Sequence, residues 1–203
     1  MLCSLAVSFV LVTLASTACI DKVGNLITVE DINDPSLDVH LEGIQLGTYD
    51  ANGAPTCDNN EAGVKLPGMI KILGGKIKVT AANDLSKVVG KLTLKKNSWL
   101  LGTVCEDGIA KNPIIPKDDC QFDASKVLPE GLRKLLSTPG EYDMSTIEQQ
   151  LGIDNTIQLP AVPHTIDSVL KGEWQGGVDV VNGGNKVITN VKFPANTKWI
   201  YIE

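Results

Sequence analysis

The stretch Glu173-Trp174-Gln175-Gly176-Gly177-Val178-Asp179-Val180-Val181-Asn182-Gly183-Gly184-Asn185-Lys186-Val187-Ile188-Thr189-Asn190-Val191-Lys192-Phe193 decides the fold. Trp174, Val178 and Val180 fall on one face of an extended segment. Asn182 to Asn185 then supplies residues that tolerate positive φ, and Val187, Thr189, Val191 and Phe193 resume the period of two. Two alternating runs joined by such a turn read as an antiparallel hairpin.

The same period recurs on either side. Lys76-Ile77-Lys78-Val79-Thr80 puts Ile77 and Val79 opposite two lysines, and Lys91-Leu92-Thr93-Leu94-Lys95 repeats the pattern. Lys198-Trp199-Ile200-Tyr201-Ile202 reads as one more strand end, and His40 sits in a plausible strand over Asp38–Leu46. Gly74-Gly75, Asn83-Asp84, Asn97-Ser98 and Gly152 punctuate the runs. This predicts an all-β protein, an antiparallel β-sandwich or barrel; the narrower form, a β-cup with an apolar cavity, is what the family resemblance given below implies. One segment departs from it. In Leu128–Leu136 a proline opens the run, an acid follows, and Arg133-Lys134 lie toward its end. Leu128, Leu132, Leu135 and Leu136 share a stripe, so a short amphipathic helix is expected, with Gly131 counting against it. Residues 20–60, rich in Asp, Asn and Gly, are the least readable.

Composition bounds the rest. The 203 residues are 43% hydrophobic and 21% charged, a globular balance, and only 4% aromatic, so the core must rest on Val, Ile, Leu and Ala. Lys plus Arg number 18 against 24 Asp plus Glu, a formal net charge of −6. No basic stripe offsets it, which argues against nucleic acid as a partner.

Leu2 to Ala18 is an unbroken run of apolar and small residues followed at once by Ile20-Asp21-Lys22. Ser16 and Ala18 suit a signal-peptidase site before Cys19, so residues 1–18 are expected to be a removed signal peptide and 19–203 a single domain. A retained N-terminal anchor and an acylated Cys19 are the competing readings. The missing basic residue ahead of the run weakens the signal-peptide reading, and Ser16 fits the lipoprotein pattern poorly.

Cys19, Cys57, Cys105 and Cys120 then remain, an even count that suggests disulfides and permits three pairings. The loop between Cys105 and Cys120 contains Gly108, Pro113 and Pro116, so a local bridge there is the most economical choice. Cys19 would pair with Cys57. No two cysteines have the close spacing of a structural zinc site, and no metal or cofactor is expected.

Reactive patterns are thin. No Gly-x-Ser-x-Gly surrounds a serine, and neither His40 nor His164 has a partner in sequence. Glu106-Asp107 and Asp118-Asp119 read as a solvated loop, and Asp58-Asn59-Asn60-Glu61 lacks the full calcium-loop pattern. Gly43 to Gly47 does not lead into a phosphate loop, and no Asn-x-Ser/Thr sequon occurs. The chain is therefore read as a non-enzyme.

The order Trp99-Leu100-Leu101-Gly102-Thr103-Val104-Cys105, then Glu106-Asp107-Gly108-Ile109, then Cys120-Gln121-Phe122 resembles the centre of the ganglioside-activator proteins. These are sphingolipid activators with an ML-type lipid-recognition domain. Pro139-Gly140-Glu141-Tyr142, the crossover Ile157 to Pro163, and the closing pair from Leu170 to Phe193 resemble the family's later elements. The likeness spans roughly residues 90–193. The chain departs in having no cysteine over Val187–Val191 and a longer Cys105–Cys120 segment.

That resemblance implies a secreted or lysosomal cup whose sheets part to hold acyl chains. Each buried methylene contributes about 0.8 kcal/mol, so binding needs no reactive group. Trp99, Leu100 and Leu101, with Leu132, Leu135 and Leu136, are the candidates for the cavity rim and membrane-touching surface. Ordinary core is the competing reading for both groups, and Trp174 reads more as core than as ligand contact.

The expected function is a lipid carrier that takes an amphipathic glycolipid or phospholipid from a membrane and presents it to a lipid-degrading hydrolase or another acceptor. Charge alone predicts stronger membrane docking at acidic pH, as carboxylates neutralise. The alternative is an extracellular, disulfide-stapled module that binds a protein or glycan. A secreted hydrolase is the remote third reading, and it would need a histidine beside a buried nucleophile.

Overall fold

The computed structural model describes residues 18–113, 115–159, 161, 169–195 and 198–203. The expected signal segment (all but Ala18) and His164 lie outside the described residues.

The chain is an antiparallel all-β protein whose single sheet curls on itself. The first half comprises β1 (Leu26–Asp31), β2 (Val39–Asp50) and β5 (Gly68–Val79), edged by β10 (Gly140–Asp143) and β11 (Thr156–Leu159). The second comprises β6 (Val89–Lys96), β12 (Gly172–Val181) and β13 (Val187–Phe193), flanked by β7 (Thr103–Glu106), β8 (Ile109–Ala110), β9 (Gln121–Asp123) and β14 (Ile200–Ile202). The short β3 (Cys57–Asp58) and β4 (Glu61–Val64) complete the edge, and β4 runs parallel to β14.

β1 joins the halves. Its residues Leu26 to Val29 pair with β2, whereas Glu30 and Asp31 pair with β13. The corner is held by Asp31, whose buried carboxylate accepts hydrogen bonds from the Asn33 and Leu41 amides (2.7 and 2.9 Å) and from His40 Nδ1 (3.2 Å). His40 is thus tied to this corner. Two residues before His40, the buried Asp38 carboxylate accepts from Lys186 Nζ on both oxygens at 2.6 Å. That contact clamps the β12–β13 turn to the start of β2.

Curling brings the halves face to face. Val39, Ile44, Ile72, Ile77 and Val79 of the first meet Val88, Ile188 and Ile200 of the second in one contiguous core. Each such side chain contributes about 1.5–3 kcal/mol when fully buried. A smaller cluster of Val104, Cys105, Cys120 and Trp174 lies at the other end of β12.

Three short helices lie between β9 and β11, where one was expected: α1 (Ala124–Val127), α2 (Glu130–Ser137) and α3 (Ile147–Leu151). α2 is the helix expected over residues 128–136, shifted toward its C-terminal end because Pro129 stands ahead of it. Gly131 has a packing reason: a Cβ there would lie 3.1 Å from Ile153, so glycine lets the helix approach the segment after α3. Helices α1 and α3 span only four and five residues, too few for a helical period to show.

Both expected bridges form. Cys19–Cys57 closes a separation of 38 residues and Cys105–Cys120 one of 15. Cys105 and Cys120 are buried in the smaller cluster, while Cys19 and Cys57 are half-buried.

Candidate functional site

Register places the apolar side chains of the second half on one inward face, because residues directly opposite in an antiparallel ladder share a face. Val178 stands between Leu92 of β6 and Val191 of β13, and Gly176 between Leu94 and Phe193. Val180, Val191 and Phe193 pack against the main core, whereas Leu92 and Leu94 pack against the Trp174 cluster. The strip between the two clusters is only half-buried at Leu92, Leu94, Val178, Val191 and Phe193. Its middle is made shallow by Gly176: a Cβ there would lie 2.4 Å from the Phe193 ring, so the ring lies across bare backbone.

At the Trp174 end the strip leads to the β6–β7 turn. Here Trp99 is 96% exposed and Leu100 68%. The turn beneath them is fully engaged. Lys96 N donates to Gly102 O at 2.9 Å and Gly102 N to Ser98 O at 3.0 Å. The Ser98 hydroxyl accepts from the amides of Leu100 and Leu101, and Asn97 Nδ2 donates to Glu173 at 2.5 Å. Leu101 turns back to pack against the smaller cluster. The bonded turn therefore holds Trp99 and Leu100 outward.

Lys96 closes this end from the inward side. Its ammonium donates to the carbonyl of Val169 and, at 2.7 Å, to that of Lys171, and it lies 5.3 Å from the centre of the Trp174 ring. Burial pushes its pKa below the ordinary lysine value. Trp174 Nε1 donates to Leu170 O at 2.6 Å, so this tryptophan is buried with its polar edge satisfied.

The seven candidate residues are thus divided rather than gathered. Trp99 and Leu100 are exposed at the turn and Leu101 is half-buried below it. Leu132 and Leu135 are buried in the main core with Leu136 packed against it, and Trp174 anchors the other cluster. The β12–β13 contribution to the strip was readable as a strand face. Its partial exposure was not, since alternation does not tell how completely a face is covered. Clefts of about 410 Å³, beside Val88 and Phe122, and about 380 Å³, between α2 and β10, open from the surface. They sit at the small end of ligand pockets.

Two buried side-chain polar atoms lack a partner among the described residues: Arg133 Nε and Thr189 Oγ1. Thr189, opposite Val180 in the ladder, belongs to the inward face. Nothing in the hydrophobic period marks either residue out. Three or more His, Cys, Asp or Glu do not gather in metal-binding geometry among the described residues.

Compared with known proteins, the sequence matches no family model and no curated protein. Among solved structures, the chain aligns with chicken MD-1 complexed with lipid IVa, at 10% identity over 86% of this chain and 98% of that one, with a TM-score of 0.26. A TM-score of that size carries neither a fold assignment nor a ligand across.

Proposed function

We propose that the chain is a non-enzymatic lipid-binding protein of a secreted or lysosomal compartment. It takes an amphipathic glycolipid or phospholipid from a membrane and presents it to a hydrolase or another acceptor. The observation that carries this reading is the half-covered aliphatic strip of Leu92, Leu94, Val178, Val191 and Phe193, which runs toward the outward Trp99–Leu100 turn. Apolar surface left open inside a curled sheet gains by covering hydrocarbon, at about 25 cal/mol per Å². An exposed tryptophan beside a leucine on a rigid turn suits transient entry into the membrane interface. Two disulfides fit an oxidising compartment.

Native mass spectrometry of protein purified from cells tests the reading. A co-purifying lipid is expected. A lipid-free protein that also fails to take up phospholipid from liposomes overturns it and leaves a disulfide-stapled interaction module.

A further inference from the structure

Lys96 follows Leu92 and Leu94 on the inward face of β6, because alternate residues of a strand share a face. The register sets it opposite Trp174, and its ammonium lies over that buried ring. The half-covered strip therefore ends in a cation on the side of the Trp99–Leu100 turn. At its other end Gly90 continues the same face, opposite Phe122 of β9. A Cβ on Gly90 would lie 2.4 Å from the Phe122 ring, so the ring lies across this position and stops the strip. From Lys96 to Gly90 an extended strand covers about 20 Å, the length of a stretched palmitoyl chain.

Nothing within the described residues neutralises Lys96. An ammonium has three N–H donors, and this one gives two of them to neutral acceptors, the carbonyls of Val169 and Lys171. No carboxylate lies within ion-pair distance of it among the described residues. Glu173, beside Trp174, is exposed and accepts from Asn97 instead. Burial is the one cause that lowers the Lys96 pKa, with no nearby charge to offset it. The ammonium is not sealed in either: Lys96 is half-buried, and its bond to Lys171 lies at the surface. A partly desolvated cation with a donor to spare, at the end of an aliphatic strip, suits an oxyanion attached to an apolar body.

We propose that Lys96 receives the head of the bound lipid, and that this lipid is an anionic amphiphile, a fatty carboxylate or a phosphate-bearing lipid, whose acyl chain lies along Leu94, Leu92 and Val178 toward Phe122. This deepens the lipid-binding reading above and rests on it.

The test compares three probes on the full chain by calorimetry: palmitate, monopalmitoylglycerol and acetate. The wild type is expected to bind palmitate about tenfold or more tighter than the neutral lipid, since charge-assisted hydrogen bonds are the stronger kind. K96M keeps the apolar stem and is expected to abolish that preference with monopalmitoylglycerol affinity unchanged, and K96R to restore it. A lysine that only ties down two carbonyls predicts something else: K96M would lose affinity for both lipids alike, and the headgroup role would fall. Should K96M fail to fold, affinity labelling of the wild type decides. The N-hydroxysuccinimide ester of palmitic acid acylates the lysine its head reaches, Nζ forming an amide as N-hydroxysuccinimide leaves. Peptide mapping is expected to find Lys96 modified ahead of the exposed Lys95 and Lys171. Labelling that spares Lys96 overturns the assignment. Equal binding of the two lipids by the wild type, or a preference kept in K96M, removes the headgroup role and leaves lipid binding standing. Acetate binding as tightly as palmitate, and lost in K96M, makes the ligand a free anion and overturns the lipid assignment. Binding of neither lipid overturns both readings.

Discussion

The two halves of the curled sheet are built from the same kind of strand but are covered differently. On the first, Ile72, Ile77 and Val79 are 6, 4 and 3% exposed, sealed by the opposite half and by Leu132 and Leu135 of α2. On the second, Leu92, Leu94, Val178 and Val191 face the same interior and stay half-exposed. The difference lies in what lies over each face. Leu132 and Leu135 of α2 enter the core that seals the first half, whereas the strip of the second is covered only in part by the two clusters its residues pack against. An apolar face left uncovered is where a soluble protein has room for a ligand.

The sharpest way to break this contrast is truncation on both faces. Ile77→Ala is expected to cost about 2–5 kcal/mol and Val178→Ala only about 1 kcal/mol, read by urea denaturation. Equal losses would mean that the second face is as closed as the first.

The two bridges differ in burial the other way round, since the buried one belongs to the second half. Removing Cys105–Cys120 is expected to cost about 3 kcal/mol from its loop alone. Under mild reductant, Cys19 and Cys57 should be alkylated first, with the buried Cys105 and Cys120 reacting only on unfolding. Mass spectrometry of the alkylated fragments reads the order.

At the turn, the double variant Trp99→Ser, Leu100→Ser is expected to weaken liposome binding about tenfold or more, with stability changed by no more than about 0.5 kcal/mol. A loss of stability instead would identify these residues as core. Within the interior, Thr189→Val is expected to stabilise the protein by about 1 kcal/mol, because it removes a buried hydroxyl without a partner at nearly constant shape. Destabilisation would show that the hydroxyl is satisfied.

The smallest effect concerns pH. Asp34, Asp84, Asp123 and Asp143 each accept a hydrogen bond from the backbone amide of a serine two residues on. These turns hold their carboxyls below the ordinary value. The serine amide leads for Asp34 and Asp84 and the serine hydroxyl for Asp123 and Asp143. A depressed folded pKa stabilises above the unfolded value of about 3.9 and is lost as pH falls through the folded one. Urea midpoints should show no change from this source between pH 7 and 5 and a decline below about pH 4. Replacing all four by Asn should flatten that decline. The four carboxylates remain charged at pH 5, so any gain in docking there must come from other groups.

Much of the fold could be read from local pattern. The Asn182 to Asn185 turn forms as expected, with the Asn182 side chain accepting from Gly184 and Lys186 amides at 3.0 Å. The strands around Ile77, Leu92 and Val178 were visible because a period of two survives in any half-buried strand. β1 went unread although its burial alternates strictly, Ile27, Val29 and Asp31 inward and Thr28 and Glu30 outward: only two of its inward residues are aliphatic, and the third is a carboxylate that the corner, not the period, buries. The candidate site was legible only in part. Trp99-Leu100-Leu101 is one apolar run in sequence, yet the bonded turn sends two side chains outward and one inward. Leu132 and Leu135, candidates for the rim, lie in the main core.

Sequence alone determined the alternation, the turn chemistry, the amphipathic helix and the supply of cysteines, because each depends on residues within a few positions of one another. Tertiary structure alone decided which aliphatic face is left open, where the single arginine turns and which hydroxyl has no partner. Those are questions of coverage and pairing between segments up to about a hundred residues apart, and no local period carries that information.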